Sequence, residues 1–354
     1  MDSLTQFALG AAVSTLCLGK TLGVRKAALL GGALGTLPDL DVLIPFDNPV
    51  DAFVLHRGWT HSVFVHAIAA PVIGELLVRS FKALRDHRWM VWLTVFLCLS
   101  THAMIDAMTV YGTRIFWPFY PDPVGVGSVF IIDPLYTLPL LAVVIWALAR
   151  DSRSRAFRTG LVAALVLSTG YMGLGAVVQA HIESRAKAVF ADAGIAVDRV
   201  FATAGPLNTV LWKVVGLGED RYHNVYLSLF DDSNDTQIYT HPRHPELLAG
   251  LRDADAFRKL EWFSRGYYRT EMLDRQIVVS DLRMGLTPGY VFRFAIAEYR
   301  DETVTVIPPR VVSAGIGPGD QDLDWLADRF WGGSMARAAE AGIFAECGSR
   351  SAVC

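Results

Sequence analysis

The first half of the chain consists of apolar stretches of membrane-crossing length, and acids and histidines interrupt them at particular points. Asp39 and Asp41 sit in LPDLD, His56 and His61 in HRGWTHS, and His102 and Asp106 in STHAMID, while Asp133 opens a further apolar run. An ionisable group at membrane depth costs about 2.5–3.5 kcal/mol on insertion scales, so by default it marks a functional site. His and Asp together are also the residue types that bind a hard or borderline divalent metal. The pattern predicts a metal site inside a helical membrane domain.

Composition agrees with this. Of 354 residues 52% are hydrophobic and only 19% charged, against about 25% charged in soluble proteins. A net charge of −3 lacks the basic excess of nucleic-acid-binding domains, so no nucleic-acid partner is expected. Met1-Asp2-Ser3 has no basic n-region, so the first apolar segment reads as retained rather than as a cleaved signal peptide.

Six spans are expected, over residues 4–18, 27–46, 62–78, 89–110, 128–149 and 157–179. The first is short and the second is Gly-rich and ends at Pro45, so these two read as tilted or partly re-entrant, while the others are long enough to span. Basic residues follow every second boundary: Lys20, Arg25 and Lys26; Arg79, Lys82, Arg85 and Arg88; Arg150, Arg153, Arg155 and Arg158. The alternate loops carry only Arg57 and Arg114. The positive-inside rule then places both termini outside the cytoplasm, with the His and Asp residues gathered near the outer face. Residues 1–179 form the expected membrane domain, and 180–354 an extracytoplasmic α+β domain.

The motifs differ in what they specify. In PDLD, Asp39 and Asp41 offer two carboxylates after a proline; one can ligate a metal while the other ligates or orients a histidine, or both can simply turn the chain. His56 and His61 are five apart, which on a helix leaves them about 140° apart, so a loop must bring them together; a wet interfacial loop is the plain alternative. His102 and Asp106, at i and i+4, share a helix face as two ligands, as ligand and orienting partner, or as an interhelical hydrogen-bond pair. His66 and Asp133 are additional ligand candidates, although Asp133 before Pro134 also suits a helix cap. Arg57 and Arg114 suit an anionic group such as phosphate, or serve as ordinary interfacial charges. No HExxH, GxSxG or Gly-rich phosphate loop is present.

Together MDSLTQFALGAA, GALGTLPDLDVL, HRGWTHS and STHAMIDAMTVYGTRIFWPF resemble the YdjM family of bacterial inner-membrane proteins, regarded as membrane-bound metal-dependent hydrolases. The resemblance covers roughly residues 1–150. It implies that Asp39, Asp41, His56, His61, His102 and Asp106 form the metal centre. It further implies a distant similarity to zinc-dependent phospholipase C and P1-type nucleases, and hence a phosphoester substrate.

Beyond residue 180, alternating runs at 224–230, 276–280 and 290–299 read as strands and 322–344 as a helix. Trp212, Trp262, Phe263, Tyr267 and Tyr268 suit a domain core or a groove, and His241 and His244 an exposed loop or a metal. Cys17 and Cys98 read as packing residues, and Cys347 and Cys354 as either a disulfide loop in an oxidising compartment or free thiols facing the cytoplasm, which would invert the topology. The resulting expectation is a hydrolase of the inner membrane that uses zinc, or manganese, as one or more ions. Asp39 or Asp106 would act as general base, on a lipid or lipid-linked phosphoester or ester reached from the outer face. A metal or proton transporter, or a scaffold for the exported domain, are the alternatives.

Overall fold

In a computed structural model of the chain, which describes residues 1–150, 154–233, 236–300, 303–313 and 320–340, helices fill the first half and two antiparallel sheets the second. The first seven helices are α1 (Ser3–Leu22), α2 (Val24–Thr36), a short α3 (Pro49–Leu55), α4 (Val63–Ser80), α5 (Arg88–Met108), α6 (Pro134–Arg150) and α7 (Arg155–Asp192). The chain forms two compact units. One comprises Met1–Ile44, His56–Val177 and Pro206–Asn208; the other comprises Pro45–Leu55, Val178–Gly205 and the described residues from Thr209 on.

In the first unit, local chemistry sets the helix starts. Asp2 accepts from the backbone N–H of Leu4 and Thr5, Ser62 from those of Phe64 and Val65, and Asp133 from those of Leu135 and Tyr136, satisfying donors a helix leaves open. α1 and α2 form a hairpin in backbone contact. A Cβ on Gly10 would lie 2.3 Å from the Gly31 carbonyl oxygen, and one on Gly31 would lie 2.2 Å from the Gly10 carbonyl oxygen. Small residues permit such approach between membrane helices. Leu9, Ala12 and Val13 then join Val95, Leu99, Leu140 and Val143 in a common core.

Among the described residues, three stretches are long and apolar enough to cross a membrane: Val63–Ser80, Lys82–Met108 and Arg155–Asp192. The expectation of six is therefore supported for three. The segment over 27–46 divides, because α2 ends at Thr36 and Pro38–Leu43 forms a 3-10 turn. The 13 residues of α2 reach about 20 Å, short of a hydrocarbon core of about 30 Å. α1 has the length, but Thr5, Gln6, Ser14 and Thr15 make it less apolar. The segment over 128–149 is helical only from Pro134, as the 17-residue α6, since proline suits a helix's first turn and lacks the N–H to continue one backwards.

In the second unit, the sheet β1 (Arg199–Ala204), β2 (Leu211–Leu217), β3 (Arg221–Ser228), β4 (Tyr239–Pro242) is an antiparallel meander in sequence order. It packs through Ala202, Trp212 and Val214 onto Ile182, Ala186 and Phe190 of α7. After α8 (Asp255–Ser264) come β5 (Tyr268–Leu273), β6 (Gln276–Asp281), the small hairpin of β7 (Gly285–Leu286) and β8 (Gly289–Tyr290), β9 (Arg293–Arg300) and β10 (Thr303–Val311). The second sheet runs β10-β9-β6-β5. The expected strands are β3, β6 and β9. The helix expected over 322–344 is α9 (Asp320–Phe330), which stops before Gly332, a residue at φ +80°. Trp212, Phe263, Tyr267 and Tyr268 are buried core residues. Cys17 and Cys98 are free thiols, whereas Cys347 and Cys354 lie outside the described residues.

His241 is buried, and its Nε2 lies 2.5 Å from Oε2 of Glu340. Glu340 also accepts from the Tyr226 hydroxyl and from Asn224 Nδ2 at 3.2 Å. Burial opposes the charge on Glu340, but the hydrogen bonds from His241 and Tyr226 outweigh it and hold the carboxyl below its usual range. A carboxyl so depressed adds stability above its unfolded pKa, and that stability is lost as pH falls through the folded value. The thermal midpoint of this unit should therefore drop below about pH 4, and less so in Glu340→Gln, as followed by circular dichroism. In the first unit, Gly31→Val should cost about 1–3 kcal/mol by overpacking. Gly170→Ala, where nothing lies within 4 Å of the added Cβ, should leave the midpoint of the detergent-solubilised protein unchanged or slightly raised.

Candidate metal centre

Three chain segments supply the centre: the 3-10 turn after α2, the turn Trp59–His61 before α4, and the last turns of α5. Asp39, His61, His102 and Asp106 each present one ligand atom, and these atoms lie within 4.8 Å of one another. His61, His102 and Asp106 are buried, whereas the Asp39 side chain is 21% exposed. His102 Nε2 is 3.1 Å from His61 Nε2, 3.3 Å from Asp39 Oδ1 and 3.4 Å from Asp106 Oδ2. His61 Nε2 lies 3.5 Å from Asp39 Oδ1 and 3.4 Å from Asp106 Oδ2.

The surrounding hydrogen bonds assign the protons. His102 Nδ1 donates to the Gly35 carbonyl at 2.6 Å, so in the neutral ring Nε2 carries a lone pair. Thr60 Oγ1 donates to Asp41 Oδ2 at 2.9 Å and so accepts from His61 Nδ1 at 3.0 Å, which leaves His61 Nε2 with a lone pair as well. Asp106 Oδ1 accepts from Gln6 Nε2 at 3.0 Å and from the Met1 amine, while its buried Oδ2 accepts no hydrogen bond. With both rings neutral, two imidazole nitrogens and two carboxylate oxygens thus present lone pairs to one another. A divalent cation resolves that repulsion, and N₂O₂ is an accepted ligand set for zinc. The residues fit the ion.

The other residues singled out in the sequence have separate places. Asp41 binds around the cluster rather than in it: its carboxylate accepts from the Arg57 backbone N–H at 2.9 Å and lies 2.8 Å from His56 Nδ1. His56 is partly exposed beside Asp41. Arg57 is buried, with Nε 3.2 Å from Asp106 Oδ2 and its guanidinium 5.0 Å from the Tyr111 ring centre. His66 donates through Nε2 to the Thr60 carbonyl at 2.8 Å, leaving Nδ1 to accept from Ser100 at 3.3 Å, and so supports the turn. Asp133 caps α6 and accepts from the Tyr171 hydroxyl at 2.8 Å. Arg114 Nε donates to the Pro121 carbonyl at 3.0 Å. His241 and His244 pair with Glu340 and Glu246 in the second unit. Sequence reasoning passed over Gln6 and the Gly35 carbonyl, and read Thr60, with Ser62, only as a cap for the following helix, whereas Ser62 caps it and Thr60 joins Asp41 to His61. Gln6, a buried amide in an apolar helix, carried a readable signal; a backbone carbonyl carries none.

The fold and site define an integral membrane protein with a candidate divalent-metal centre at its helix ends. More particularly, the chain belongs to the YdjM family: the profile described as YdjM inner membrane protein matches residues 1–182. The chain is 26% identical over 156 residues to the uncharacterized protein YfhP of Bacillus subtilis strain 168, a match covering 41% of this chain and 46% of that one. It is 31% identical over 107 residues to the inner membrane protein YbcI of Escherichia coli K12, covering 29% and 60% respectively. The chain therefore spans about half the length of the curated relatives it matches. No solved structure matches it.

Orienting partners of metal ligands are typically worth 10–100-fold in affinity. Thr60→Val and Asp41→Asn should weaken zinc binding by about that factor, whereas His61→Ala and His102→Ala should abolish it. Competition against a fluorescent chelator measures both. Equal affinity in Thr60→Val and wild type would remove the tautomer argument.

Proposed function

We propose that the protein is a membrane-bound hydrolase dependent on a divalent metal, zinc or manganese, held by Asp39, His61, His102 and Asp106. The observation that carries this reading is the convergence of two Nε2 and two carboxylate oxygens within 4.8 Å, with each ring's Nδ1 engaged as a donor elsewhere. A bound divalent ion would supply Lewis acidity toward a phosphoryl or acyl oxygen and make water more acidic. The chain's own groups divide the remaining work. Asp106, buried and tied to Arg57 and Gln6, serves as a fixed ligand. Asp39, partly exposed, offers Oδ1 to the ion and leaves Oδ2 as the general base toward an arriving water. His56, oriented by Asp41 at 2.8 Å, stands where it can return a proton to the leaving group. Arg114 remains a candidate for the substrate anion, while Arg57 is engaged with Asp106 and acts on substrate only through it.

A lipid or lipid-linked ester or phosphoester is the proposed substrate. Leu40, Val42 and Leu43 flank the site carboxylates, Trp59 precedes His61, and Phe119 packs edge-on against Phe64 at the start of α4, all with large exposed apolar surface. Such residues suit a headgroup-level entrance. The distribution of basic loops supports an outer-face site and an extracytoplasmic second unit. No observation favours the transporter reading, which needs ionisable groups along the full membrane depth.

Elemental analysis of protein purified without chelator should give stoichiometric zinc or manganese in wild type and none in His102→Ala. Hydrolysis of phosphodiester and lipid substrates in nanodiscs should disappear with EDTA and return with the same metal. Metal-free wild type would overturn the reading, and bound metal with proton-coupled flux but no hydrolysis would favour transport.

A further inference from the structure

The segment between the two ligand-bearing loops does not belong to the unit that holds the ligands. Asp39 and Asp41 precede it and His56 and His61 follow it, all within the first unit, while Pro45–Leu55 belongs to the second. Its helix α3 has seven residues, too few to persist alone in water, where helices shorter than about 12 residues are marginal. Asn48 starts it, accepting from the backbone N–H of Val50 and Asp51 at 3.0 Å each. Its persistence rests on packing in the second unit. Val50, Phe53 and Val54 are buried. The Phe53 ring lies 4.6 Å from that of Phe263, 4.3 Å from Phe292 and 5.3 Å from Phe294, centre to centre. Asp51 is 2.5 Å from Lys259 Nζ.

The two ends of this excursion meet at one residue of the centre. The Asp41 carbonyl accepts from the Ile44 N–H at 3.0 Å on the outgoing arm. On the returning arm the Asp41 carboxylate accepts from the Arg57 N–H and lies beside His56 Nδ1. Any loosening of α3 therefore adds slack between the turn that holds Asp39 and the turn that holds His61. The partners of Phe53 and Asp51, at positions 259, 263, 292 and 294, all lie beyond residue 182, where the family match ends. In this chain a part of the family region is thus completed by residues from outside it.

We propose that α3 is a positioning element for the metal centre, with Phe53 as its anchor, and that the second unit thereby sets the metal affinity of the first. The inference rests on the metal reading above. Coupling is reciprocal: if the packing of α3 favours metal binding, metal binding must favour the packing of α3 by the same factor.

The test uses the full-length protein in detergent or nanodiscs, with zinc and manganese as probes. In wild type, adding metal should slow amide hydrogen exchange within Val50–Leu55, which itself supplies no ligand. Phe53→Ala should bind metal at least tenfold more weakly, and Phe53→Leu, which refills the apolar site, should restore most of the affinity. Circular dichroism should show the sheets of the second unit still folded at the assay temperature. If Phe53→Ala does not fold, Asp51→Asn and Lys259→Met remove the milder ion-pair anchor, and a several-fold weakening is expected. Wild-type metal affinity in a folded variant whose α3 amides exchange freely would overturn the proposal while leaving the metal reading intact. Metal-free wild type would instead overturn the metal reading, and this inference with it.

Discussion

The hydrogen bond from His102 Nδ1 to the Gly35 carbonyl is the contact on which the site depends. It requires a carbonyl at the end of α2, close to α5, and that position is set by the backbone contact between Gly10, Gly31 and Gly35. With Nδ1 committed as donor, the neutral ring faces the cluster through the Nε2 lone pair. The same logic runs through Thr60 to His61. Glycines that look like simple packing devices thus set the tautomer of a neutral ring on α5.

The ionisable residues were legible because their cost in an apolar setting is high and the reasons to keep them are few. His102 and Asp106 could be placed on one face from their spacing. The distinction between Asp39 in the cluster and Asp41 around it was not legible, because both follow one proline and differ only in which way a 3-10 turn points them. His56 likewise looks equivalent to His61 in HRGWTHS, yet only His61 enters the group of four. Arg57 read as a binder of anions from outside, whereas its buried guanidinium lies beside Asp106. Sequence charge gives the need for a partner, and only the fold gives its identity.

Helix type was easier to read than helix extent. Apolar runs over 4–18 and 27–46 suggested spans, but the Gly contacts make α1 and α2 a close hairpin and Pro38 ends the second early. Strands in the second half followed their alternation, and α9 stopped at glycines that a periodic reading carried through. The place of α3 had no signal at all. PVDAFVL is an ordinary amphipathic turn, and nothing local to it names Phe263, Phe292 or Phe294 as its neighbours.

Of the four clustered side chains, Asp39 alone is partly exposed, and the other three form a closed wall. Entry and departure of an ion would therefore pass a single carboxylate, so that exchange follows the swing of one side chain rather than the opening of the helix ends. Under that geometry all four groups would set how tightly an ion is held, while Asp39 alone would gate how fast it comes and goes.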